Sequence, residues 1–223
     1  MNIRLFTEAL LKYLLGVFLV GVIIFVPANT INYWNGWLFM GLLFIPMFIA
    51  GIVMLIRSPN LLRSRLNARE KESEQKFVLA ISGVMFLVGF IIAGLNYRFS
   101  WLKLPDIVVI VASVVFLLSY LLYAEVLREN AFLSRTIEVQ NDQKLINTSL
   151  YGIVRHPMYF ATLFLFLSMP LILGSLFSFI IFLIYPFVIV KRINNEERVL
   201  DKELKEYKEY KKKVRYKLIP YIW

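Results

Sequence analysis

Long apolar runs alternate with short polar segments along most of the chain. Runs of this length, with almost no charge inside them, are typical of helices that cross a bilayer. The first four predict membrane spans at residues 13–28, 38–56, 77–97 and 106–124. Trp34 and Trp37, between the first two spans, are typical of a membrane interface and support the assignment.

The apolar segment that begins after Pro157 is too long for one crossing. It extends for about 33 residues and contains Pro170, Gly174 and Ser175 near its middle. A straight helix of that length would be about 50 Å long, whereas the hydrocarbon core of a bilayer is about 30 Å thick. We therefore predict a helical hairpin with spans at residues 158–173 and 176–190.

The polar tail, residues 191–223, contains a helical repeat. The positions that recur at this spacing are Leu200, Leu204, Tyr207, Lys211 and Val214. We predict one amphipathic helix that either lies against the membrane or folds over the polar loop. The expected fold class is thus all-α: a polytopic helical membrane protein of about six spans, the last two forming a hairpin, with a cytoplasmic amphipathic C-terminal helix.

The predicted organisation is a single integrated membrane domain with two regions. Residues 1–126 form a four-span N-terminal region. Residues 127–223 add a long polar loop, the hairpin and the tail. Long ordered loops tend to be functional, so the second region is where we expect a site.

Composition and charge agree with a membrane protein whose polar ends are basic. Hydrophobic residues make up 59% of the chain and charged residues only 18%. The formal charge of +10 lies outside the apolar runs, as expected for cytoplasmic segments beside anionic lipid headgroups. We predict that both termini and the polar loop are cytoplasmic. We also predict that the protein interacts with membrane lipids and does not bind nucleic acid. With no cysteine and one histidine, disulfides and Cys- or His-cluster metal sites are excluded.

The single histidine, His156, is the first candidate for chemistry. Pro157 after it is well suited to the first helical position and biases His156 towards an extended backbone. The histidine side chain and the amides of the first helical turn could then face one anion-attracting pocket. The alternative is that Arg155 and His156 only anchor the chain at the headgroup level.

Arg192 and Glu196, just after the last apolar run, are the second candidate. On a helix they are i,i+4 neighbours, so an ordinary surface ion pair is one interpretation. In the other, the carboxylate holds a cationic or hydroxylated ligand and the guanidinium orients an anionic group of a substrate.

The last 95 residues or so combine several short motifs. They are Val139-Gln140, Gln143-Lys144-Leu145-Ile146, Tyr151, Arg155-His156-Pro157-Met158-Tyr159, Glu196-Glu197, Glu206-Tyr207 and Tyr210-Lys211-Lys212-Lys213-Val214. As a set around an apolar hairpin, they resemble the isoprenylcysteine carboxyl methyltransferase family, a broad group of membrane enzymes that use S-adenosylmethionine. That family commonly has Phe-Gly-x-Glu-Tyr where this chain reads Glu203-Leu204-Lys205-Glu206-Tyr207, so we expect the tail helix to continue where relatives turn.

The resemblance implies a site for S-adenosylmethionine and a methyltransferase activity. The implied cofactor residues are Gln140, Gln143, Lys144, Leu145, Ile146, Tyr151, His156, Pro157, Met158, Tyr159 and Glu196. Arg192 matches a position that contacts substrate, and we assign Arg192 and Glu197 to catalysis. The expected methyl acceptor is a lipophilic or small molecule that reacts through a carboxylate, an amine or a thiol.

Two alternatives are kept open. Membrane reductases of the sterol-reductase type share a similar C-terminal architecture, so an NADPH-dependent reductase is the second hypothesis. A non-enzymatic membrane scaffold, whose polar loop binds a partner, is the third.

Overall fold

The fold was analysed in a computed structural model of the chain. The structure describes residues 3–66, 73–130, 145–204 and 206–223. Within these ranges the secondary structure is helical and includes no β-strand, which confirms the predicted all-α class. The helices are α1 (Ile3–Ala28), α2 (Trp34–Arg57), α3 (Pro59–Leu66), α4 (Ser73–Phe99), α5 (Asp106–Glu129), a 3₁₀ turn (Ser149–Gly152), α6 (Pro157–Ile172), α7 (Leu176–Phe182), α8 (Tyr185–Glu203) and α9 (Tyr207–Lys213).

The described chain contains enough apolar helices for the predicted crossings. Five helical segments are long and apolar enough to span a membrane, with α7 and α8 taken as one unit. The shorter apolar helix α6 is the other arm of the predicted hairpin. The spans extend further into the polar flanks than predicted; α1, for example, begins at Ile3, and Glu8 and Lys12 form an i,i+4 ion pair of 2.6 Å on it.

The connection between the second and third spans has a structure that the charge pattern did not reveal. Pro59 begins the short helix α3, a position in which its missing N–H has no cost. Leu61 and Leu62 are buried, and Leu62 packs with Leu5 of α1 and Leu55 of α2. The basic segment after α2 is therefore folded back against the bundle.

The bundle has two distinct ends. At one of them, Lys12 donates to the carbonyl of Leu66 over 3.0 Å, and the Lys191 ammonium lies 4.7 Å from the centre of the Phe77 ring. We call this the basic end: it contains the start of α1, α3, the start of α4, the end of α5, the start of α6 and the second half of α8. Because α1 begins here and the tail docks here, both terminal regions lie at the same end.

The opposite end is held by amides and a tyrosine that satisfy the last carbonyls of α6. Asn35 donates to the Ile172 carbonyl over 2.9 Å, and the Tyr33 hydroxyl donates to that of Leu173. Asn96 lies 3.4 Å from the Gly174 carbonyl. Gly174 has φ +70°, a conformation that glycine adopts without strain, and it reverses the chain between α6 and α7.

The second arm of the hairpin differs from the predicted span at residues 176–190. A turn at residues 183–184 separates α7 from α8, and Pro186 lies in the first turn of α8. Helix α8 then continues past the apolar run to Glu203. Arg192, Glu196 and Glu197 are consequently placed on a helix that is anchored in the bundle.

The expectation of one continuous tail helix was wrong. Helix α8 ends at Glu203, Leu204 is extended with φ −114° and ψ 100°, and α9 starts at Tyr207. The break lets Tyr207 and Tyr210 fold back into a small core with Leu145, Leu200 and Leu204. Burial of two tyrosines therefore outweighs the local preference of a Lys/Glu-rich segment for continued helix.

Helices α1 and α4 pack closely at Gly94. A Cβ atom at this position would lie 2.6 Å from the carbonyl oxygen of Ile24 and 3.0 Å from Pro27 Cβ. A Cβ at Gly83, on the same helix, would meet nothing within 4 Å. Small residues allow this approach of two backbones, as in other membrane helix pairs.

We expect Gly94→Ala to destabilise the bundle by about 1–3 kcal/mol, because α1 must move away from α4. Gly83→Ala is the matched control; it should be neutral or stabilise by up to about 1 kcal/mol through helix propensity. Thermal unfolding in a mild detergent measures both effects. Equal midpoints for the two variants would contradict the close packing.

Candidate functional site

The start of α6 has the predicted first residue, but the backbone of His156 is not extended as we expected. Pro157 is its first residue, and His156 precedes the helix with φ −127° and ψ 60°. The His156 carbonyl accepts hydrogen bonds from the amides of Tyr159 and Phe160, over 3.1 and 3.3 Å. The histidine thus caps the helix with its backbone and leaves its side chain to interact with other elements.

A small cavity opens beside this helix start. Its volume is about 80 Å³. Its described lining residues are Asn130, Leu145, Ile146, Tyr151, Arg155, His156, Met158, Tyr159, Glu196, Leu200, Leu204, Tyr207 and Tyr210. Polar loop, hairpin and tail therefore contribute to one site at the basic end.

Most of the cofactor residues implied by the sequence are brought together here. Leu145, Ile146, Tyr151, His156, Met158, Tyr159 and Glu196 line the cavity. Pro157 is buried and begins α6 without lining the cavity. Gln140, Gln143 and Lys144 lie outside the described residues.

Tyr159 links the two arms of the hairpin at the cavity wall. Its hydroxyl donates to Glu196 Oε2 over 2.6 Å and accepts from Arg192 Nε over 2.8 Å. The guanidinium of Arg192 also lies 5.7 Å from the centre of the Tyr159 ring. The two α8 residues therefore share a buried phenol from α6, an arrangement that fixes the direction of the Glu196 carboxylate.

Glu197, the neighbour of Glu196, faces another way. Its Oε1 accepts from Arg155 Nε at 2.8 Å and lies 3.3 Å from both His156 Nε2 and the Tyr207 hydroxyl. Its Oε2 lies 3.0 Å from Lys217 Nζ. The side chain is only 10% exposed and does not line the cavity. The structure thus places Glu197 behind the cavity wall, as the common partner of three basic side chains.

The tail is fastened to the loop before α6 by main-chain hydrogen bonds. The amides of Arg155 and His156 donate to the carbonyls of Tyr216 and Lys217, both over 2.9 Å. The Arg155 guanidinium donates to the carbonyls of Val214 and Arg215. The loop, α8 and the tail consequently hold His156 from three sides.

Two tail tyrosines complete the cavity. The Tyr210 hydroxyl donates to the Tyr151 carbonyl over 2.6 Å. Burial, together with the carboxylates of Glu197 and Glu196, raises the pKa of the Tyr207 hydroxyl far above its usual value. Tyr207 therefore remains protonated and donates to Glu197 at any physiological pH.

Sequence reasoning did not select Arg155, Leu200, Leu204, Tyr207 and Tyr210 as site residues. Tyr207 and Tyr210 belong to the tail motif, but a continuous helix would have carried them away from His156. Arg155 belongs to the Arg155–Tyr159 motif, but no role other than that of an interfacial anchor was assigned to it from the sequence. Its burial follows from the tail docking, which no local pattern signals.

The match to a protein-family model concerns this same part of the chain. Residues 107–207 match the model of a family described as phospholipid methyltransferase. That range extends from α5 to Tyr207 and contains most of the cavity wall.

The whole fold is similar to a solved structure, that of the eukaryotic intramembrane Ras methyltransferase ICMT (isoprenylcysteine carboxyl methyltransferase). The TM-score is 0.57 at 15% sequence identity, over 99% of this chain and 85% of that one. At this identity the similarity is one of fold.

A curated relative comes from another class of enzyme. The chain is 32% identical over 91 residues to the Delta(14)-sterol reductase of Mus musculus. The match covers 40% of this chain and 22% of the reductase, so it spans about a fifth of the length of that relative.

Loss of the Glu197 charge should loosen the tail. In Glu197→Gln, Arg155 and Lys217 lose their shared counter-ion, and breaking such a buried pair costs about 3–5 kcal/mol. We expect the amides of Arg155 and His156 to exchange hydrogen for deuterium much faster than in the wild type. Glu209→Gln, which removes an exposed 2.6 Å pair with Lys212, is the control and should leave this exchange unchanged. Slow exchange in Glu197→Gln would show that Glu197 does not hold the tail.

Proposed function

We propose that this chain, an isoprenylcysteine carboxyl methyltransferase-like membrane protein, transfers the methyl group of S-adenosylmethionine to a lipophilic or small-molecule acceptor at the cavity beside α6. The observation that carries the proposal is the triad of Arg192, Tyr159 and Glu196. It directs one carboxylate towards a cavity lined by tyrosines, at the end of an otherwise apolar bundle.

The residues of the cavity suit an adenosyl cofactor chemically. The Glu196 carboxylate can accept hydrogen bonds from hydroxyl or ammonium groups, and Tyr151, Tyr207 and Tyr210 offer aromatic faces to a purine. The volume of about 80 Å³ is below the 300–1,000 Å³ usual for ligand sites, so binding requires the walls to separate. Helix α9, which follows the extended Leu204, is the wall element we expect to move.

Roles follow from where each side chain lies. We assign cofactor binding to Leu145, Ile146, Tyr151, His156, Met158, Tyr159 and Glu196, and keep Gln140, Gln143 and Lys144 as proposed contacts. Pro157 starts the helix that carries Met158 and Tyr159. We assign Glu197 a positioning role instead of a catalytic one, since its partners are side chains behind the wall.

The mechanism rests on orientation and the exclusion of water. Bound S-adenosylmethionine supplies a methyl group that its sulfonium centre has already activated. Arg192, half-buried next to the cavity wall, is placed to orient an anionic acceptor through its planar fork. A carboxylate acceptor needs no general base; for an amine or a thiol, His156 or Glu196 is available to accept the proton.

We infer that the basic end faces the cytoplasm. Described cations at this end include Arg4, Lys12, Arg57, Arg63, Arg65, Arg128, Lys191 and Arg192, whereas Arg98 and Lys103 flank the opposite end. Such an excess of Arg and Lys is typical of the cytoplasmic side. The polar cofactor would then reach the cavity from the cytosol.

A second candidate function is supported by the match to the sterol reductase, which favours a reductase that uses NADPH. Titration of the purified protein with S-adenosylhomocysteine and with NADPH separates the two. We expect a thermal shift with S-adenosylhomocysteine. A shift with NADPH alone would overturn the methyltransferase proposal.

The Tyr159 hydroxyl should matter for cofactor binding. Tyr159→Phe removes a hydrogen bond to the Glu196 carboxylate, worth about 1.5–3 kcal/mol, so we expect Kd for S-adenosylhomocysteine to rise by about 10- to 100-fold. Tyr216→Phe, which alters a tail tyrosine outside the cavity lining, is the matched control and should bind as the wild type does. An unchanged Kd in Tyr159→Phe would place the cofactor elsewhere.

Arg192 should affect the acceptor more than the cofactor. For an anionic acceptor, identified by labelling a lipid and metabolite extract with radioactive S-adenosylmethionine, we expect Arg192→Gln to raise KM by about 10- to 100-fold. Lys191→Gln is the control, because Lys191 lies over the Phe77 ring on another face of α8. Weakened S-adenosylhomocysteine binding with an unchanged KM would assign Arg192 to the cofactor.

A further inference from the structure

A second, larger cavity lies within the bundle and takes no part in the proposed site. It measures about 450 Å³ and is bounded by α1, α2, α3, α5 and α6. Its walls are almost entirely apolar, and its size is within the range usual for ligand sites.

Helices α2 and α5 both contribute to the walls of the cavity. They meet where the Tyr120 hydroxyl donates to the Leu43 carbonyl over 3.0 Å, which closes the deep end. Towards the basic end the lining includes three small residues, Ala50 and Gly51 on α2 and Ala124 on α5. A Cβ at Gly51 would meet nothing within 4 Å, so this wall opens directly onto empty space.

The cavity is open to the side of the bundle that faces lipid. Met47 and Phe48, which line it, are 37% and 44% exposed on the outer surface of α2. Ala124 lines it and is exposed on α5. A molecule can therefore enter from the bilayer between these helices, and an apolar chain would supply the dispersion contacts that the walls lack.

The described residues at the rim of the basic end are mostly positively charged. Lys12 and Arg65 belong to the cavity lining. Arg4 and Arg63 lie within electrostatic range of Glu8, which pairs with Lys12 at 2.6 Å on the exposed surface of α1. Arg65 donates to the Tyr123 hydroxyl, which bridges α3 and α5 across the cavity mouth. Among the described residues, Lys12, Arg4 and Arg63 thus lie around the Glu8 carboxylate, and Arg65 lies at the cavity mouth, at the end of the bundle where we expect lipid headgroups.

We propose that this cavity binds one acyl chain of an anionic phospholipid, with the lipid phosphate held at Lys12 and Arg65. The chain enters sideways between α2 and α5. The headgroup stays at the basic end, where the charge complements it. The proposal does not depend on methyl transfer, because it concerns retention of a lipid and not its reaction.

Native mass spectrometry of the full chain in an uncharged detergent tests this. The protein is titrated with phosphatidylglycerol and with phosphatidylcholine of identical acyl chains. We expect one tightly retained phosphatidylglycerol, and about a fivefold loss of its advantage over phosphatidylcholine for each of Lys12→Gln and Arg65→Gln. Equal retention of both lipids by the wild type would overturn the headgroup assignment.

Plugging the cavity tests the acyl-chain site. Gly51→Phe, on α2, and Ala124→Phe, on α5, should each abolish retention of both lipids. Gly83→Phe is the matched control: it adds the same side chain to open space on α4, outside this cavity. Unchanged circular dichroism and unfolding midpoints establish that the plugged variants are folded. Wild-type retention by folded Gly51→Phe and Ala124→Phe would overturn the proposal.

Discussion

The buried carboxylate of Glu197 is the point at which α8, the loop before α6, α9 and the tail meet. A buried charge is tolerated only where its lone pairs are occupied, and here Arg155, His156, Lys217 and Tyr207 surround it. Because successive helical residues point about 100° apart, fixing Glu197 behind the wall turns Glu196 towards the cavity. Glu197 thereby stabilises the fold, and the carboxylate of Glu196 remains available to bind a ligand.

The opposite end of the bundle sets how the two arms of the hairpin align. Tyr33, Asn35 and Asn96 occupy the carbonyls at the end of α6, and Gly174 reverses the chain there. This turn fixes the height of α8 against α6, so that Tyr159 and Glu196 come within 2.6 Å at the far end. Polar contacts at one end of the bundle are therefore a condition for the geometry of the site at the other.

The spans, the hairpin and the helix start at Pro157 could be predicted because each depends on local apolar length or on the chemistry of one residue. The tail could not, since its break at Leu204 is favoured by burial of Tyr207 and Tyr210 against residues distant in sequence. The helix alone requires Glu196 and Glu197 to point in different directions, but which of them faces the cavity was not predictable, because it depends on the docking of the tail. Nothing in the apolar runs indicated that a second cavity would lie between α1, α2, α3, α5 and α6.

The docking of residues 214–217 onto Arg155 and His156 has a consequence for biosynthesis. Translation proceeds from the N-terminus at about 5–20 residues per second, so Lys217 is made roughly 3–12 s after His156. The carbonyl of Lys217 accepts the hydrogen bond from the His156 amide. During that interval the hairpin can enter the bilayer while the His156 loop still lacks the carbonyls of the tail. The cavity therefore cannot be completed before residues 214–217 have been made, although every other described part of its wall up to Tyr210 is made earlier.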